Sequence, residues 1–428
     1  MSKPKGQMER IIFAAKEADE PLIANFQAET PRDLLLSIIK EKHAQIPSIM
    51  EESAIDCWII FVRETTANPD PVMNLIIGGD VVWDSAFIFS NTKENFSRTA
   101  IVGNFDADEE VKKAIWDEVI PYKEGISSSF QQFIDSLSPL QIALNYSQDD
   151  AMSDGLSHGM FLKLESILSN KRKSFVSASP IVSAIRSRKT SKEIALITKA
   201  CELTEEINDR IAGQLQVGMT EKQIQRLFHN EMDRLGAAAA WQRNSCPSID
   251  AGPEKTLGHV GPTTLKLQEG HTLHNDFGVK LNGYCSDLQR MWFVGSANEI
   301  PDELMHAFET VKNAIRLALA AIKPGCMGYK IDKIARDYVK ERNYEEYAHA
   351  LGHQVGRQAH DGGTLLGPLW ERYGDLPRGE IEEGNVFTLE LHVKTQNYGT
   401  VSLEENIVVT ASGARFLVPP QEEFRLIK

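Results

Sequence analysis

The sequence predicts an α+β protein in two parts: a C-terminal part built from an internal duplication, and a smaller α/β domain in front of it. Three observations carry this reading. Short β-rich runs alternate with amphipathic stretches through the first 175 residues. An order of helix, Gly turn, helix and strands occurs twice after residue 190, and nine of the eleven histidines lie between His229 and His392. At 428 residues the chain is long enough for two or three domains with sizeable cores.

The N-terminal runs fall at 58–62, 86–89, 99–102 and 141–144. Rich in β-branched and aromatic residues, they read as buried strands, and segments such as 32–42 read as helices that cover them. A passage rich in Ser, Lys and Arg over 169–192 reads as a solvated connector rather than a nucleic-acid patch. The expected division is an α/β domain over 1–175, a connector over 176–192 and a second domain over 193–428.

Thr190-Ser191-Lys192-Glu193 has the spacing of a capping box and opens a helix through Leu196, Ala200, Leu203, Ile207 and Ile211. A second helix starts after Gly218-Met219-Thr220 and ends near Gly236, and strands follow. A long helix over 302–322, then Pro324-Gly325 and a helix to about 342, repeat that order. Gly325 stands 107 positions after Gly218 (325 − 218), which predicts two related halves with a cleft between them.

The first half ends in a hairpin. Asn282-Gly283 is a type I′ turn signal, and centring the turn there pairs 281 with 284 and 278 with 287. Asp276 then lies diagonally from Asp287 on one sheet face, with Cβ atoms roughly 7 Å apart. Two carboxylates converging in this way repel unless a cation lies between them, and Gly278 leaves that space open. The expectation is a binuclear metal site. In the second half, a three-residue loop Asn397-Tyr398-Gly399 pairs 396 with 400, so that Glu404 faces His392 and Glu390 lies diagonally from Glu404. Between the hairpins, His349, His353 and His360 crowd into thirteen residues, with Gly352 and Gly356 allowing close backbone approach to a metal.

These residues resemble the pita-bread metallopeptidase family, which includes aminopeptidase P, prolidase, methionine aminopeptidase and creatinase. The resemblance is strong over about 180–428. Over the first 175 residues it is a looser likeness to the N-terminal domain of the aminopeptidase P, prolidase and creatinase branch, a domain that methionine aminopeptidases lack. It implies a pita-bread fold for the C-terminal part and metal ligands Asp276, Asp287, His353, Glu390 and Glu404. It also implies two divalent metal ions, manganese foremost, with cobalt, zinc or iron in some members; oxygen-rich ligands with one imidazole suit such cations.

The implied chemistry is hydrolysis of an Xaa-Pro peptide bond by a metal-bridging hydroxide, with Glu390 as the proton acceptor. His259 and His360 match family histidines that contact the substrate or the tetrahedral intermediate, and His349 matches a further active-site histidine. Glu405 follows as a residue supporting the ligands. Two departures bear on specificity: Ser402 stands where proline-specific members often carry Arg, and Leu391 where Pro often follows the first Glu. A small peptide is the implied substrate and a homodimer the implied assembly, with Trp58, Arg63 and Glu64 as candidates to wall the partner's cleft.

Composition excludes other classes. A net charge of −14 disfavours a nucleic-acid or anionic-membrane partner, and the apolar runs fall far short of the ~20 residues that span a bilayer. Glu9 and Arg10 interrupt the N-terminus before an apolar leader forms, so the expected location is cytoplasmic. The five cysteines are at least 39 residues apart and read as buried thiols. Two alternatives stay open: the same metals acting on a non-peptide small molecule, as in ectoine hydrolase or dimethylsulfoniopropionate lyase, and a binding module on a retired peptidase fold.

Overall fold

The computed structural model describes residues 31–91, 95–107, 114–254 and 261–428. In the N-terminal part, β1 (Cys57–Val62), β2 (Ser85–Asn91), β3 (Phe96–Gly103), β4 (Glu118–Tyr122), β5 (Ile142–Leu144) and β6 (Phe175–Ser177) form one sheet in the order β4-β3-β2-β1-β5-β6. The pairs β1–β2 and β2–β3 are antiparallel and the others parallel. Alternation along β1 explains the layering. Trp58, Ile60 and Val62 enter one core with Ile39 and Ile46 of helix α1 (Pro31–Glu52). Cys57, Ile59 and Phe61 enter the other, with Phe130 and Ile134 of α2 (Ser127–Leu137) and Met160 and Leu164 of α3 (His158–Ile167). Helices therefore cover both faces of the sheet, as expected of an α/β arrangement.

The expected solvated connector is corrected by the structure. Phe175–Ser177 extends the sheet, and α4 (Ser179–Ser187) buries Ile181, Val182 and Ile185 in the core that holds Trp58. Two of the connector's basic residues, Arg186 and Lys189, are buried too. Arg186 Nε donates to Asp361 O at 2.9 Å, and Lys189 Nζ donates to Gln354 Oε1 at 2.9 Å. Apolar residues interleaved at helical spacing decide the outcome here, and charge composition alone misses them.

The C-terminal part opens as expected. Helix α5 (Ser191–Ala212) carries the Thr190/Glu193 capping box, and α6 (Glu221–Leu235) starts from a second box, Thr220/Gln223, and ends on left-handed Gly236. The strands that follow are β7 (Ala238–Ala239), β8 (Ser248–Ala251), β9 (Thr272–Phe277), β10 (Val279–Leu281), β11 (Tyr284–Cys285) and β12 (Leu288–Val294). Then come α7 (Asp302–Ala321), α8 (Gly328–Glu341), β13 (Val386–Lys394), β14 (Thr400–Thr410), β15 (Gly413–Phe416) and β16 (Arg425–Ile427). A seven-stranded sheet runs β13-β14-β12-β9-β8, with β15 on β14 and β16 on β12.

The duplication is visible in the backbone. Helices α6 and α8 begin at Glu221 and Gly328, again 107 apart (328 − 221). The turn glycines Gly218 and Gly325 have φ of 89° and 85°, and each donates its N–H to a distant carbonyl, of Leu267 and Ile381. Matching bridges join Thr220 to Lys266 and Met327 to Glu380. One helix pair packs on Leu273, Phe277 and Trp292, the other on Phe387, Leu389 and Leu391. By strand alternation, residues between these point to the opposite face, among them the candidate ligands Asp276 and Glu390. Among the described residues, no helix is long and apolar enough to cross a membrane.

Candidate metal centre

Strand register lines up the acidic side chains. In the first hairpin Leu281 pairs with Tyr284, Leu288 with Phe277 and Gln289 with Asp276, so 278 opposes 287 and Asp276 is diagonal to Asp287, as predicted. Asn282 and Gly283 have φ of 49° and 84°, the two positive values of a type I′ turn. Gly278 has a different reason from the one expected. A Cβ there would stand 2.0 Å from Ser286 O, so glycine serves the close approach of the two strands rather than a space for a cation. Gly352 is similar: a Cβ would stand 2.0 Å from Thr388 O, placing the His353 backbone against β13.

The second hairpin differs in register by two. Lys394 pairs with Thr400, Glu390 lies directly opposite Glu404, and Ser402, not Glu404, faces His392. The loop is wider than expected because Thr395 closes it. Its N–H and Oγ1 both donate to Gly399 O, at 2.8 and 2.7 Å, and Tyr398 N donates to Oγ1 at 3.0 Å. Glu303 of α7 also accepts from Asn397 Nδ2 at 2.9 Å. Gly399 is left-handed, as predicted, and a shift of two keeps both glutamates on one face.

Because Gln289 pairs with Asp276 on one side and Glu404 on the other, a row runs across four strands: Asp276, Gln289, Glu404, Glu390. His353 reaches this row from its loop. Its Nε2 lies 3.6 Å from Glu390 Oε1, 3.9 Å from Asp287 Oδ2 and 4.0 Å from Glu404 Oε1. Atoms of Asp287, His353 and Glu404 all fall within 4.8 Å of one another. The loop is held from behind, where Gln354 accepts from Lys189 and donates to Ser187 Oγ at 2.7 Å.

The electrostatics ask for a cation. Burial, then the neighbouring Asp276 and Glu390 carboxylates, push Asp287 well above the usual carboxylate range, and burial followed by Asp287 does the same to Glu404. Burial pushes Glu390 up to about 7. Burial, then His360, holds His353 well below the usual imidazole range, so the ring is neutral. With Nδ1 facing the Gln354 carbonyl at 3.3 Å, the hydrogen belongs on Nδ1 and the Nε2 lone pair points at carboxylate oxygens. Lone pairs facing lone pairs in a buried site fit a divalent cation between them, and the donor set suits one.

The other predicted residues are placed as follows. The His360 ring packs edge-on against His353 with centroids 4.1 Å apart. His349 Nδ1 donates to Ala350 O at 2.7 Å, so its Nε2 accepts from His392 Nδ1 at 3.0 Å. His259 lies outside the described residues. Glu405 points to the helix-covered face, where its Oε2 accepts from buried Arg290 at 2.9 Å; Arg290 in turn donates to the Glu404 backbone carbonyl. Leu391 is core beneath Glu390. Gln289, His274 and Asp250 were not singled out in the sequence, although Gln289 stands two residues after Asp287 and His274 two before Asp276, the spacing that shares a strand face.

Comparison with known proteins agrees with this geometry. The chain is 29% identical over 256 residues to the Xaa-Pro dipeptidase of Pyrococcus furiosus, a match covering 59% of this chain and 68% of that one. It is 28% identical over 256 residues to the Xaa-Pro dipeptidase of Pyrococcus horikoshii, with the same coverage. Among solved structures, the Xaa-Pro dipeptidase from Bacillus anthracis superposes with a TM-score of 0.71 at 20% identity, covering 91% of this chain and 99% of that one. The X-Pro aminopeptidase from Thermotoga maritima gives 0.67 at 23% identity, covering 90% and 99%. These last two establish the fold, a pita-bread arrangement behind an N-terminal domain. The sequence profile of metallopeptidase family M24 matches residues 195–411, just over half of the chain and the stretch that holds all five candidate ligands, and the protein belongs to that family.

Proposed function

We propose that the protein is a metal-dependent exopeptidase that hydrolyses Xaa-Pro bonds, with two divalent cations, manganese foremost, held by Asp276, Asp287, His353, Glu390 and Glu404. The observation that carries this is the convergence of His353 Nε2 on three carboxylates, those of buried Asp287 and Glu404 and of half-buried Glu390. The cations supply Lewis-acid polarisation of the scissile carbonyl and lower the pKa of the attacking water. Glu390, with Oε1 3.6 Å from His353 Nε2, would take that proton and hand it to the leaving amine. His360, whose ring packs against His353, would donate to the developing oxyanion. His349 and His259 complete the substrate contacts, with a small peptide as substrate. The reading assigns this chemistry to 193–428 and a supporting role to 1–175, in a cytoplasmic homodimer.

The test is hydrolysis of an Xaa-Pro dipeptide beside an Xaa-Pro-Yaa tripeptide with added Mn²⁺, and Glu390→Gln as control. Dipeptide cleavage that the control loses supports a dipeptidase, and tripeptide preference an aminopeptidase. Ser402 favours keeping a second reading in view. Its hydroxyl is committed to Gln289, so the position often held by Arg in proline-specific relatives offers no cation to a substrate. A protein that binds Mn²⁺ yet cleaves neither peptide would point to a non-peptide amide.

A further inference from the structure

Gln289 sits at the centre of the acidic row, opposite Asp276 on one side and Glu404 on the other, and is buried. The two ends of its carboxamide meet different partners. Nε2 lies 3.2 Å from Glu390 Oε2. Oε1 lies 2.5 Å from Ser402 Oγ and 3.0 Å from His274 Nε2. Glu390, as a carboxylate, only accepts, so the NH₂ must face it. The amide oxygen then takes the Ser402 hydroxyl hydrogen and the Nε2–H of His274. The His274 ring is itself set by Asp250, whose Oδ2 lies 2.9 Å from Nδ1. Turned the other way, the amide would put its oxygen against the Glu390 carboxylate.

The chemistry of the row explains why an amide is there. A fourth acid between Asp276 and Glu404 would add repulsion to a crowded buried site, and an apolar residue would leave Glu390 Oε2, Ser402 and His274 without this partner. An amide accepts on one side and donates on the other.

We infer that Gln289 is the positioning residue for Glu390: clamped by His274 and Ser402, it holds Glu390 Oε2 and thereby turns Oε1 toward His353 and the cations. This rests on the reading of Glu390 as ligand and proton acceptor. Ser402 reaches Glu390 through Gln289, so its effect depends on the presence of Gln289.

The test compares Gln289→Met, Ser402→Ala and the double variant as Mn²⁺-loaded enzymes, by calorimetric Mn²⁺ titration and by kcat and KM on an Xaa-Pro dipeptide. Gln289→Met is expected to weaken Mn²⁺ binding and lower kcat by about 10- to 100-fold, the usual size for a partner of a metal ligand, with KM within about twofold. Ser402→Ala is expected to lower kcat about three- to tenfold alone and not at all in the Gln289→Met background. Unchanged Mn²⁺ affinity and kcat in Gln289→Met, or losses that multiply in the double variant, overturn the inference. Should Gln289→Met not fold, Ser402→Ala, which removes one hydroxyl and little volume, decides alone, and wild-type behaviour overturns it. A wild type that binds Mn²⁺ but cleaves no Xaa-Pro peptide removes the proposed substrate, and the affinity arm still decides the role of Gln289. A wild type that binds no Mn²⁺ overturns both.

Discussion

His353 Nε2 and Glu390 Oε1 stand 3.6 Å apart, too far for a hydrogen bond, with a lone pair on the ring nitrogen facing the carboxylate. A cation between them makes this contact favourable, and opposite signs of effect follow with and without one. Added Mn²⁺ at 100 times its Kd should stabilise the wild type by about 2.7 kcal/mol, read as a rise in unfolding midpoint. Asp287→Asn removes one of the mutually repelling carboxylates. In metal-free protein it should raise stability by about 1–2 kcal/mol while abolishing the response to Mn²⁺. A metal-free variant less stable than the wild type would mean that the carboxylates do not repel one another.

The two parts of the chain are tied by Lys42, a fully buried cation on α1. Its Nζ donates to Ile185 O and Arg188 O, both at 2.8 Å, at the end of α4, and pairs with Glu193 Oε2 at 2.7 Å. Three donors meet three acceptors, and Glu193 is also the capping-box residue of α5. Lys42→Met leaves the buried Glu193 carboxylate without its cation and the Ile185 carbonyl without this donor, and should cost about 3–5 kcal/mol in denaturant unfolding. The exposed pair Lys333–Asp337 provides the contrast, and Lys333→Met should stay within about 0.5 kcal/mol.

Features set by local chemistry were legible in the sequence. The Asn282-Gly283 turn fixes the first hairpin's register from two residues, so Asp276 and Asp287 fell into place, as did the capping box at Thr190. Features set by tertiary partners were not. The second loop is widened by Thr395 and by Glu303, which comes from a helix 93 residues earlier. Burial of Arg186 and Lys189 depends on Asp361 and Gln354, far along the chain. Gln289 escaped notice because a lone glutamine carries no motif; its role comes from the strands on either side.

The N-terminal domain carries an acid-sensitive residue. His43 Nε2 donates to Ile76 O at 2.6 Å, and its ring lies edge-on to Phe89 and Trp116. Burial, only partly offset by that hydrogen bond, holds its pKa down to about 4 against 6.5. The unfolded chain therefore binds a proton between pH 6.5 and 4 that the folded chain refuses. Stability is unaffected above 6.5 and falls as pH drops through this window, by about 3 kcal/mol for this group. His43→Gln keeps the donor and removes the titration. The stability of the wild type relative to the variant, followed by tryptophan fluorescence in denaturant, should fall by about that amount from pH 7 to pH 4. A pH-independent difference would show that burial does not govern this histidine.

Gly278 links packing to chemistry. A Cβ there meets Ser286 O at 2.0 Å, and neither atom belongs to a flexible side chain. The strands must spread to admit it, and they carry Asp276 two residues before the contact and Asp287 one residue after. Gly278→Ala should cost about 1–3 kcal/mol of stability. It should also lower kcat by as much as about 100-fold, because an ångström of misplacement at reacting groups is worth that much. Gly125→Ala meets nothing within 4 Å and should change neither. If Gly278→Ala loses stability but keeps kcat and Mn²⁺ affinity, the strands spread away from the carboxylates, and the tight crossing at Ser286 serves the fold alone.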